Sequence, residues 1–293
     1  MTSEPLSTTV QRARPSVCTV IVAYHNTADL EECLGRYDYD GPVVVVDNGG
    51  DEQVRALVEA HGHAYLAPGS NVGFAAAVNL GLGSAQAQGR DVLLLNPDAR
   101  ADAALVRRLQ GALLAPGAHD VAAVAPALAE GGRPQRADWP APSPWGAWLD
   151  ALGLERFVRQ RLHFLVGAVL LLRSEAVADV GLFDERFFLY AEECDWQVRA
   201  QRRGWRLQLC SDVVAEHAGA GSSSDPARRE MLFHRGVETF LRKWYGTGGW
   251  QVARTAVVAG AAVRVAVRRR DDDRRRLRLY LQGPRAVAAR QGL

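Results

Sequence analysis

The chain has 293 residues, of which 48% are hydrophobic and 23% charged, and its formal net charge is +2. This composition predicts one large or two small globular domains, and no apolar run reaches the roughly 18 to 20 residues that a membrane-spanning helix needs. The four cysteines show neither CxxC pairing nor metal-ligand spacing, and no signal peptide is apparent, so we expect a reduced, cytoplasmic protein.

Short β-branched apolar runs alternate with helical stretches through the first half of the chain. Such runs, bounded by turn residues, predict strands buried on both faces, and their alternation with helices predicts βαβ units around a parallel sheet. After a polar lead at 1–15, which we predict to be disordered, the predicted strands are 17–23, 42–47, 64–66, 91–95 and 121–124, and the predicted helices are 28–37, 51–61, 72–88 and 101–114.

The pattern changes at residues 130–144, where a Gly- and Pro-rich segment predicts a long loop. Strands and helices resume beyond it. The predicted strands there are 164–172 and 207–209, and the predicted helices are 174–180, 192–203 and 226–245.

Polar side chains follow three of the predicted strands. Ligands of parallel α/β sheets bind beyond the carboxyl ends of the strands, which directs attention to Tyr24–Asn26, Asp47 and Asn96–Asp98. Asp47 suits a hydrogen bond to a nucleotide, but an Asx turn or a helix cap explains it as well. Asp98, stiffened by the preceding proline, suits Mg²⁺ beside a diphosphate, with capping of the next helix as the alternative.

Two further segments carry candidate ligand groups. His217 follows a predicted strand and suits a metal ligand, although a lone histidine is more often a loop or core residue. The Gly/Ser-rich run 219–224 after it offers hydrogen-bond donors to the oxygens of a phosphate, or is a flexible connector. Asn71 and Gly73 open a helix whose N-terminus suits an anion, although close packing of that helix against the sheet explains Gly73 equally well.

The segment Phe187–Trp196, FFLYAEECDW, places Glu192, Glu193 and Asp195 directly after an apolar aromatic run. Carboxylates at the edge of an apolar wall are partly desolvated, which raises their pKa toward a value useful for a general base. The alternative is an acidic first helical turn, where carboxylates favour the positive end of the helix dipole.

In this order and spacing, the motifs resemble family-2 glycosyltransferases of the GT-A fold, and more narrowly the bacterial rhamnosyltransferase-like branch. The resemblance covers about 17–245 and implies an α/β fold with a Rossmann-like, mostly parallel sheet flanked by helices. It divides the chain into a glycosyltransferase domain at 16–245, with a nucleotide-binding half at 16–125 and an acceptor half at 126–245, and a helical extension at 246–293. The matching pieces are VIVAYHN, VVVVDNGG, NVGFAAAVNLGL, LLLNPDA, VGAVLLLRSEAVADVGLFDERFFLYAEECDW and AEH.

The resemblance also implies roles for the matched positions. Glu193 would be the catalytic base, standing where the family has an Asp, so Glu192 could share the role. Asp195 would orient the acceptor or the base, while Asp184 and Glu185 would be mainly structural. Mg²⁺ or Mn²⁺ would be bound by Asp98 and His217, and the nucleotide sugar by Ala23, Tyr24, Asn26, Asp47, Asn71, Gly73, Asn96 and Asp98.

The implied reaction is an inverting, metal-dependent transfer of a sugar to a hydroxyl of a glycan or of a polyprenyl-diphosphate-linked sugar, in cell-envelope polysaccharide synthesis. The donor would be dTDP- or UDP-linked, with dTDP-rhamnose favoured. Two alternatives stay open: a non-catalytic nucleotide-sugar binding module, and a nucleotidyltransferase, although the Gly-rich basic loop typical of the latter is missing after the first strand.

The C-terminal region differs in charge from the rest of the chain. Residues 242–293 carry thirteen Arg or Lys against three Asp, a charge of +10, so the remainder sums to −8. Within 250–267, Arg254 and Arg264 share an arc of about 80° with Arg268, opposite Val and Ala. This pattern favours a peripheral contact with an anionic membrane on its inner face over nucleic-acid binding, with a helix packed on the catalytic domain as the alternative.

Overall fold

The computed structural model describes residues 17–86, 89–154, 162–219, 225–268 and 270–292, and in this part of the chain a nine-stranded sheet forms the centre of the fold. The predicted disordered lead at 1–15 and residues 220–224 of the Gly/Ser run lie outside the described residues. The strands are β1 (Cys18–Ala23), β2 (Val43–Asp47), β3 (Ala64–Leu66), β4 (Val92–Leu95), β5 (Ala99–Arg100), β6 (Val121–Glu130), β7 (Arg133–Gln135), β8 (Asp138–Pro140), β9 (His163–Leu165), β10 (Val169–Leu172) and β11 (Arg206–His217).

Helices cover both faces of this sheet. Their bounds are α1 (Thr27–Arg36), α2 (Glu52–Ala60), α3 (Phe74–Gln86), α4 (Ala103–Leu114), α5 (Pro144–Ala151), α6 (Ser174–Val180), α7 (Glu192–Arg202), α8 (Pro226–Arg268), α9 (Asp271–Gln282) and α10 (Pro284–Arg290).

The sheet order is β3-β2-β1-β4-β10-β6-β11-β5, with β7 paired to β6. The first four strands are parallel, as predicted. The antiparallel β10 then separates β4 from β6, and β11 lies parallel to β6. The sheet is therefore parallel through its N-terminal half and mixed beyond it, and the predicted boundary at 125 falls inside β6.

The core explains why the central strands are apolar throughout. Side chains alternate between the faces of a strand, so Ile21 packs with α1, α2 and α4 on one face, while its neighbour Val20 packs with α3, α6 and α7 on the other. Because helices bury both faces, each strand needs apolar residues at consecutive positions rather than an alternating pattern.

Several predicted elements differ in extent from the structure. The predicted strand 164–172 is two strands, β9 and β10, separated by the turn at 166–168, and the predicted loop 130–144 contains β7 and β8. Strands β6 and β11 run six and eight residues past their predicted ends, to Glu130 and His217. Their extensions are rich in Ala and polar residues, which have weak strand propensity and adopt strand structure here through pairing with each other.

The C-terminal extension packs against the preceding domain, with Trp250 and Tyr280 in one apolar cluster with Ala147 of α5 and Leu241. Helix α8 bends at Gly246 and continues to Arg268, so that Trp250 is buried with its ring centroid 5.8 Å from that of Tyr280 on α9. Arg254 donates to the carbonyl oxygens of Tyr280 and Leu281, and Arg264 pairs with Asp273 at 3.2 Å. Both arginines therefore face α9, as in the alternative of a packed helix that the sequence left open, and the membrane contact of this region stays a prediction.

The opposite side of this helix is exposed and apolar, with Val252, Val263 and Val267 at the surface. Among the described residues, no helix is long and apolar enough to cross a membrane.

Candidate active site

Strand pairing brings Asp98 and His217 together. The short β5, directly after Asp98, pairs antiparallel with the end of β11, with Ala99 opposite His217. The Nε2 atom of His217 lies 3.6 Å from Oδ1 of Asp98, and both side chains are largely buried. The backbone oxygen of Asp98 accepts a hydrogen bond from Ala218 at 3.1 Å, which fixes the two segments side by side.

Gln135 on β7 orients His217, and sequence reasoning missed it because its strand was not predicted. Its Oε1 lies 3.3 Å from Nδ1 of the imidazole, and its Nε2 donates to the backbone oxygen of His217 at 3.2 Å. We assign the imidazole proton to Nδ1, which leaves the Nε2 lone pair directed toward Asp98. A partner on the far ring nitrogen is typical of metal-binding histidines.

The pair fits a divalent cation that also binds a substrate phosphate. Metal–ligand bonds are about 2.0 to 2.2 Å, so two atoms 3.6 Å apart can both reach one ion. Within the described ranges no cluster of three or more His, Cys, Asp or Glu side chains suits a metal. The site thus offers Asp98 and His217, leaving the other positions to phosphate oxygens and water, as is common for Mg²⁺.

Glu192 and Glu193 begin helix α7, and each carboxylate has one buried oxygen without a partner in the described part of the chain. One oxygen of each, Oε2, is buried and accepts no hydrogen bond among the described residues. The two preceding residues, Tyr190 and Ala191, have φ values of +69° and +70°. Two consecutive non-glycine residues in this conformation are strained, and such strain persists mainly where the surrounding structure imposes it at functional sites.

The environment of this pair raises both pKa values. Burial raises the pKa of Glu193, and backbone N–H groups of the first turn of α7 partly oppose it. Burial, followed by the charge of Glu193, raises the pKa of Glu192 well above its ordinary value. Both pKa shifts move these carboxyl groups toward the range in which a general base works near neutral pH.

The turn between β9 and β10 joins the acidic pair to the Asp98 region. The amide of Asn96 donates to the backbone oxygen of Ala168 at 2.8 Å. On the other side of the turn, a Cβ atom at Gly167 would lie 3.4 Å from Cγ of Glu193, so the glycine allows the Glu193 side chain to approach. Glu193, Asn96 and Asp98 therefore lie at the same end of the sheet.

Asp195 has a different position from the one predicted. Its carboxylate is fully buried and accepts hydrogen bonds from Trp244 at 3.0 Å and Arg199 at 3.0 Å, with Lys243 at 2.6 Å. These partners leave it no free direction toward an acceptor, so Asp195 anchors α7 to α8.

Residues 184 and 185 serve the same framework, in agreement with their expected structural role. Lys243 also contacts Asp184, and the neighbouring Arg186, followed by Lys243, holds the pKa of Asp184 well below its usual range. Glu185 accepts a hydrogen bond from Asn79 on α3 at 2.9 Å.

Asp47 is likewise more enclosed than predicted. Oδ1 accepts hydrogen bonds from the amides of Gly49 and Gly50, and Oδ2 accepts from Asp51 and from the Tyr65 hydroxyl, at 2.7 to 3.0 Å. The side chain is 1% exposed. Asp47 therefore organises the loop after β2, which is the alternative that the sequence left open.

At the end of β1, only some of the residues predicted to bind the nucleotide sugar are accessible. Ala23 is buried, and its carbonyl accepts the amide of Asn48 at 2.8 Å. Asn26 is also buried and accepts the amide of Tyr24 through Oδ1 at 2.9 Å. The Tyr24 and His25 rings, with centroids 4.3 Å apart, form the accessible surface here.

The N-terminus of α3 packs against the loop that carries the acidic pair, rather than offering free amides to an anion. Asn71 Oδ1 accepts from Asn48 Nδ2 at 2.9 Å and from the amide of Gly73 at 3.0 Å. The amide of Phe74 donates to the backbone oxygen of Phe188 at 2.7 Å. Gly73 permits this approach, because a Cβ atom there would lie 2.6 Å from that oxygen.

Similarity to solved structures defines the fold. A mannosyltransferase from Pyrobaculum calidifontis, solved with GDP-Man and Mn²⁺, matches 95% of this chain and 87% of its own length, with a TM-score of 0.60 at 16% identity. A glucosyl-3-phosphoglycerate synthase from Mycobacterium tuberculosis, solved with Mn²⁺, UDP and glucosyl-3-phosphoglycerate, matches 80% of each chain, with a TM-score of 0.53 at 17% identity. The fold is that of the GT-A glycosyltransferases.

Sequence similarity narrows the class. No protein-family model matches the chain. It is 29% identical to N-acetylglucosaminyl-diphospho-decaprenol L-rhamnosyltransferase of Mycobacterium tuberculosis over 79% of this chain and 85% of that protein. It is 25% identical to the low-salt glycan biosynthesis hexosyltransferase Agl10 of Haloferax volcanii, over 68% and 66%. Fold and sequence similarity together support a family-2 glycosyltransferase that resembles the rhamnosyltransferases.

Proposed function

We propose that this enzyme transfers L-rhamnose from dTDP-rhamnose, with inversion, to a hydroxyl of a polyprenyl-diphosphate-linked sugar in cell-envelope polysaccharide synthesis. The named acceptor of the mycobacterial relative supports the lipid-linked substrate. The GDP-Man and UDP complexes of the two structural neighbours support a nucleotide-sugar donor.

The turn at 166–168 is the observation that carries the proposal. It contacts Asn96 on one side and Glu193 on the other, so a partly desolvated base lies at the same sheet end as the Asp98–His217 pair. An inverting displacement needs this arrangement, because the base must reach the attacking hydroxyl while positive groups face the leaving diphosphate.

In the proposed mechanism, Glu193 removes the proton from the acceptor hydroxyl as its oxygen attacks the anomeric carbon, and the nucleoside diphosphate leaves from the opposite face. Burial, followed by the charge of Glu193, raises the pKa of the neighbouring Glu192, so Glu193 is the more readily ionised of the two. A divalent cation, Mg²⁺ or Mn²⁺, bound by Asp98 and His217 would supply positive charge to the leaving diphosphate.

The predicted donor residues then divide into two groups. Tyr24, Asn96 and Asp98 are partly exposed at the end of the strands that they follow, and we propose that they contact the nucleotide sugar. The others act through the backbone that they hold in place: Ala23, Asn26, Asp47, Asn71 and Gly73.

Replacing the two glutamates separately tests the assignment of the base. Glu193→Gln should lower kcat on the order of 10²- to 10⁴-fold while the Kd for dTDP stays unchanged, because a general base is lost and the nucleotide site is not touched. Glu192→Gln is the matched control and should retain kcat to within about tenfold. Near-normal turnover of Glu193→Gln would remove this residue from the base role.

We also propose that the exposed face of α8 rests on an anionic membrane. Val252, Val263 and Val267 form an apolar stripe beside a C-terminal region of charge +10, and this combination suits an interfacial helix. The double variant Val263→Asp, Val267→Asp should lose co-sedimentation with vesicles that contain phosphatidylglycerol. Leu114→Asp, an exposed leucine on α4, is the control, and equal binding of both variants would contradict the proposal.

A further inference from the structure

A cavity of about 350 Å³ lies between helices α8, α9 and α10, outside the residues assigned above to the reaction. Its volume is within the range of small-molecule sites. Arginines line its rim and apolar side chains line its floor, so its character is amphipathic.

The rim carries positive charge that the neighbouring acids do not neutralise. Within the described part of the chain, the guanidinium groups of Arg228 and Arg278 pair with no carboxylate. The two lining acids are otherwise engaged: Asp225 accepts the amides of Ala227 and Arg228 at the start of α8, and Glu230 contacts Arg276 at 3.3 Å and Arg275 at 3.9 Å. Unpaired arginines at a concave surface favour an anion, and their planar geometry matches phosphate oxygens.

The floor links this cavity to the catalytic loop. It is formed by Met231, Leu279 and Val287, which belong to one apolar cluster. Phe188, Leu189 and Tyr190, which precede the acidic pair with Ala191 between, pack against the same cluster. The floor of the cavity therefore shares one apolar cluster with the segment that precedes Glu192 and Glu193.

We propose that Arg228 and Arg278 bind the diphosphate of the lipid-linked acceptor, with the first isoprenoid units lying along Met231, Leu279 and Val287. This inference rests on the proposed function for the identity of the acceptor. An anionic head joined to an apolar chain matches both parts of the cavity, whereas a free phosphate uses only the rim.

Binding to the full chain tests the cavity without turnover. Farnesyl diphosphate is the probe, titrated by calorimetry without divalent cations and with dTDP present to occupy the donor site. The double variant Arg228→Gln, Arg278→Gln should bind it about 10- to 100-fold more weakly than the wild type, because charged hydrogen bonds are lost. Arg274→Gln, which removes one positive charge from an exposed position of α9 where Arg274 pairs with Asp271, should bind normally.

Two further ligands identify the chemistry. Inorganic diphosphate should bind at least tenfold more weakly than farnesyl diphosphate, because it leaves the apolar floor empty. Equal affinity of the two ligands would overturn the lipid assignment, and equal binding of farnesyl diphosphate by the wild type and the double variant would overturn the site.

Kinetics separate this inference from the proposed function. With a rhamnosyl acceptor carried on polyprenyl diphosphate, the double variant should raise the acceptor KM and leave kcat and the donor KM unchanged. An unchanged acceptor KM would refute the proposed acceptor site in the cavity and would leave the proposed function unaffected. A wild-type enzyme that transfers to no lipid diphosphate acceptor, but does transfer to another acceptor, refutes the function itself.

Discussion

Replacing Gly73 with alanine probes the contact that joins the donor half of the site to the catalytic loop. Gly73 has a φ of +85°, and a Cβ atom there would lie 2.6 Å from the carbonyl oxygen of Phe188 and 3.0 Å from its Cα. Both are backbone atoms, so no side-chain rotation relieves the clash. The loop at 188–191 must move, and with it the start of α7.

The expected cost follows from two contributions. An L-residue at positive φ costs about 1 to 2 kcal/mol, and forcing packed backbone apart costs about 1 to 3 kcal/mol. The alanine also lowers the conformational entropy of the unfolded chain, which offsets about 0.4 to 1 kcal/mol of this cost. Gly73→Ala should therefore lower the free energy of unfolding by about 2 to 4 kcal/mol, and lower kcat as well because Glu193 is displaced.

Gly83 in the same helix is the matched control. It is helical, and a Cβ atom there meets nothing within 4 Å, so Gly83→Ala should stabilise the protein by roughly 0.5 to 1 kcal/mol. Urea denaturation of both variants measures the difference, and kcat at 25 °C under native conditions measures the effect on catalysis. Equal stability of the two variants would refute the argument that Gly73 is present for close approach.

Three other predictions concern titratable groups. Because burial raises the pKa of Glu193, kcat/KM should fall on the acid side at a pH above the ordinary glutamate value of about 4.3, and Glu193→Gln should abolish this limb of the pH–rate profile. Burial lowers the pKa of His234 to about 3 from 6.5, so the stability that the neutral imidazole contributes is present above pH 6.5 and is lost as the pH falls. Between pH 7 and pH 5 the free energy of unfolding should fall by about 2 kcal/mol for this reason. In urea denaturation, His234→Gln should lack this pH-dependent loss. Asp98→Asn should abolish any increase in melting temperature that Mn²⁺ adds to that produced by dTDP alone, and a retained increase would place the cation elsewhere.

Local patterns in the sequence predicted the half of the fold in which neighbours in the chain are also neighbours in the sheet. Strands β1 to β4 are short apolar runs between helices, and a strand buried on both faces needs such a run wherever it occurs. The polar residues at the ends of β1, β2 and β4 could be placed at one edge for the same reason. The assignment of Glu193, Asp98 and His217 to catalysis and metal binding stays a prediction.

Distant contacts decided the rest. The sequence contains three acids within four positions. Only Asp195 becomes a structural anchor, because Trp244 and Lys243, which lie about fifty residues away on α8, contact its carboxylate. The role of Asp47 also depends on the tertiary structure, because its accessibility is set by Tyr65 and by the conformation of the loop that it caps.

The sequence by itself determined the parallel α/β framework and the chemical groups that follow its strands, because both are written in residues close together in the chain. Only the tertiary structure decided which of those groups keep an oxygen or nitrogen without a hydrogen-bond partner, and where the C-terminal helices pack. Gln135 reaches His217 across 82 positions, and Trp250 packs on Tyr280 across thirty, so neither contact leaves a periodic or local signal. Burial and hydrogen bonding are properties of the assembled surfaces, and they assign function to residues that are alike in the chain.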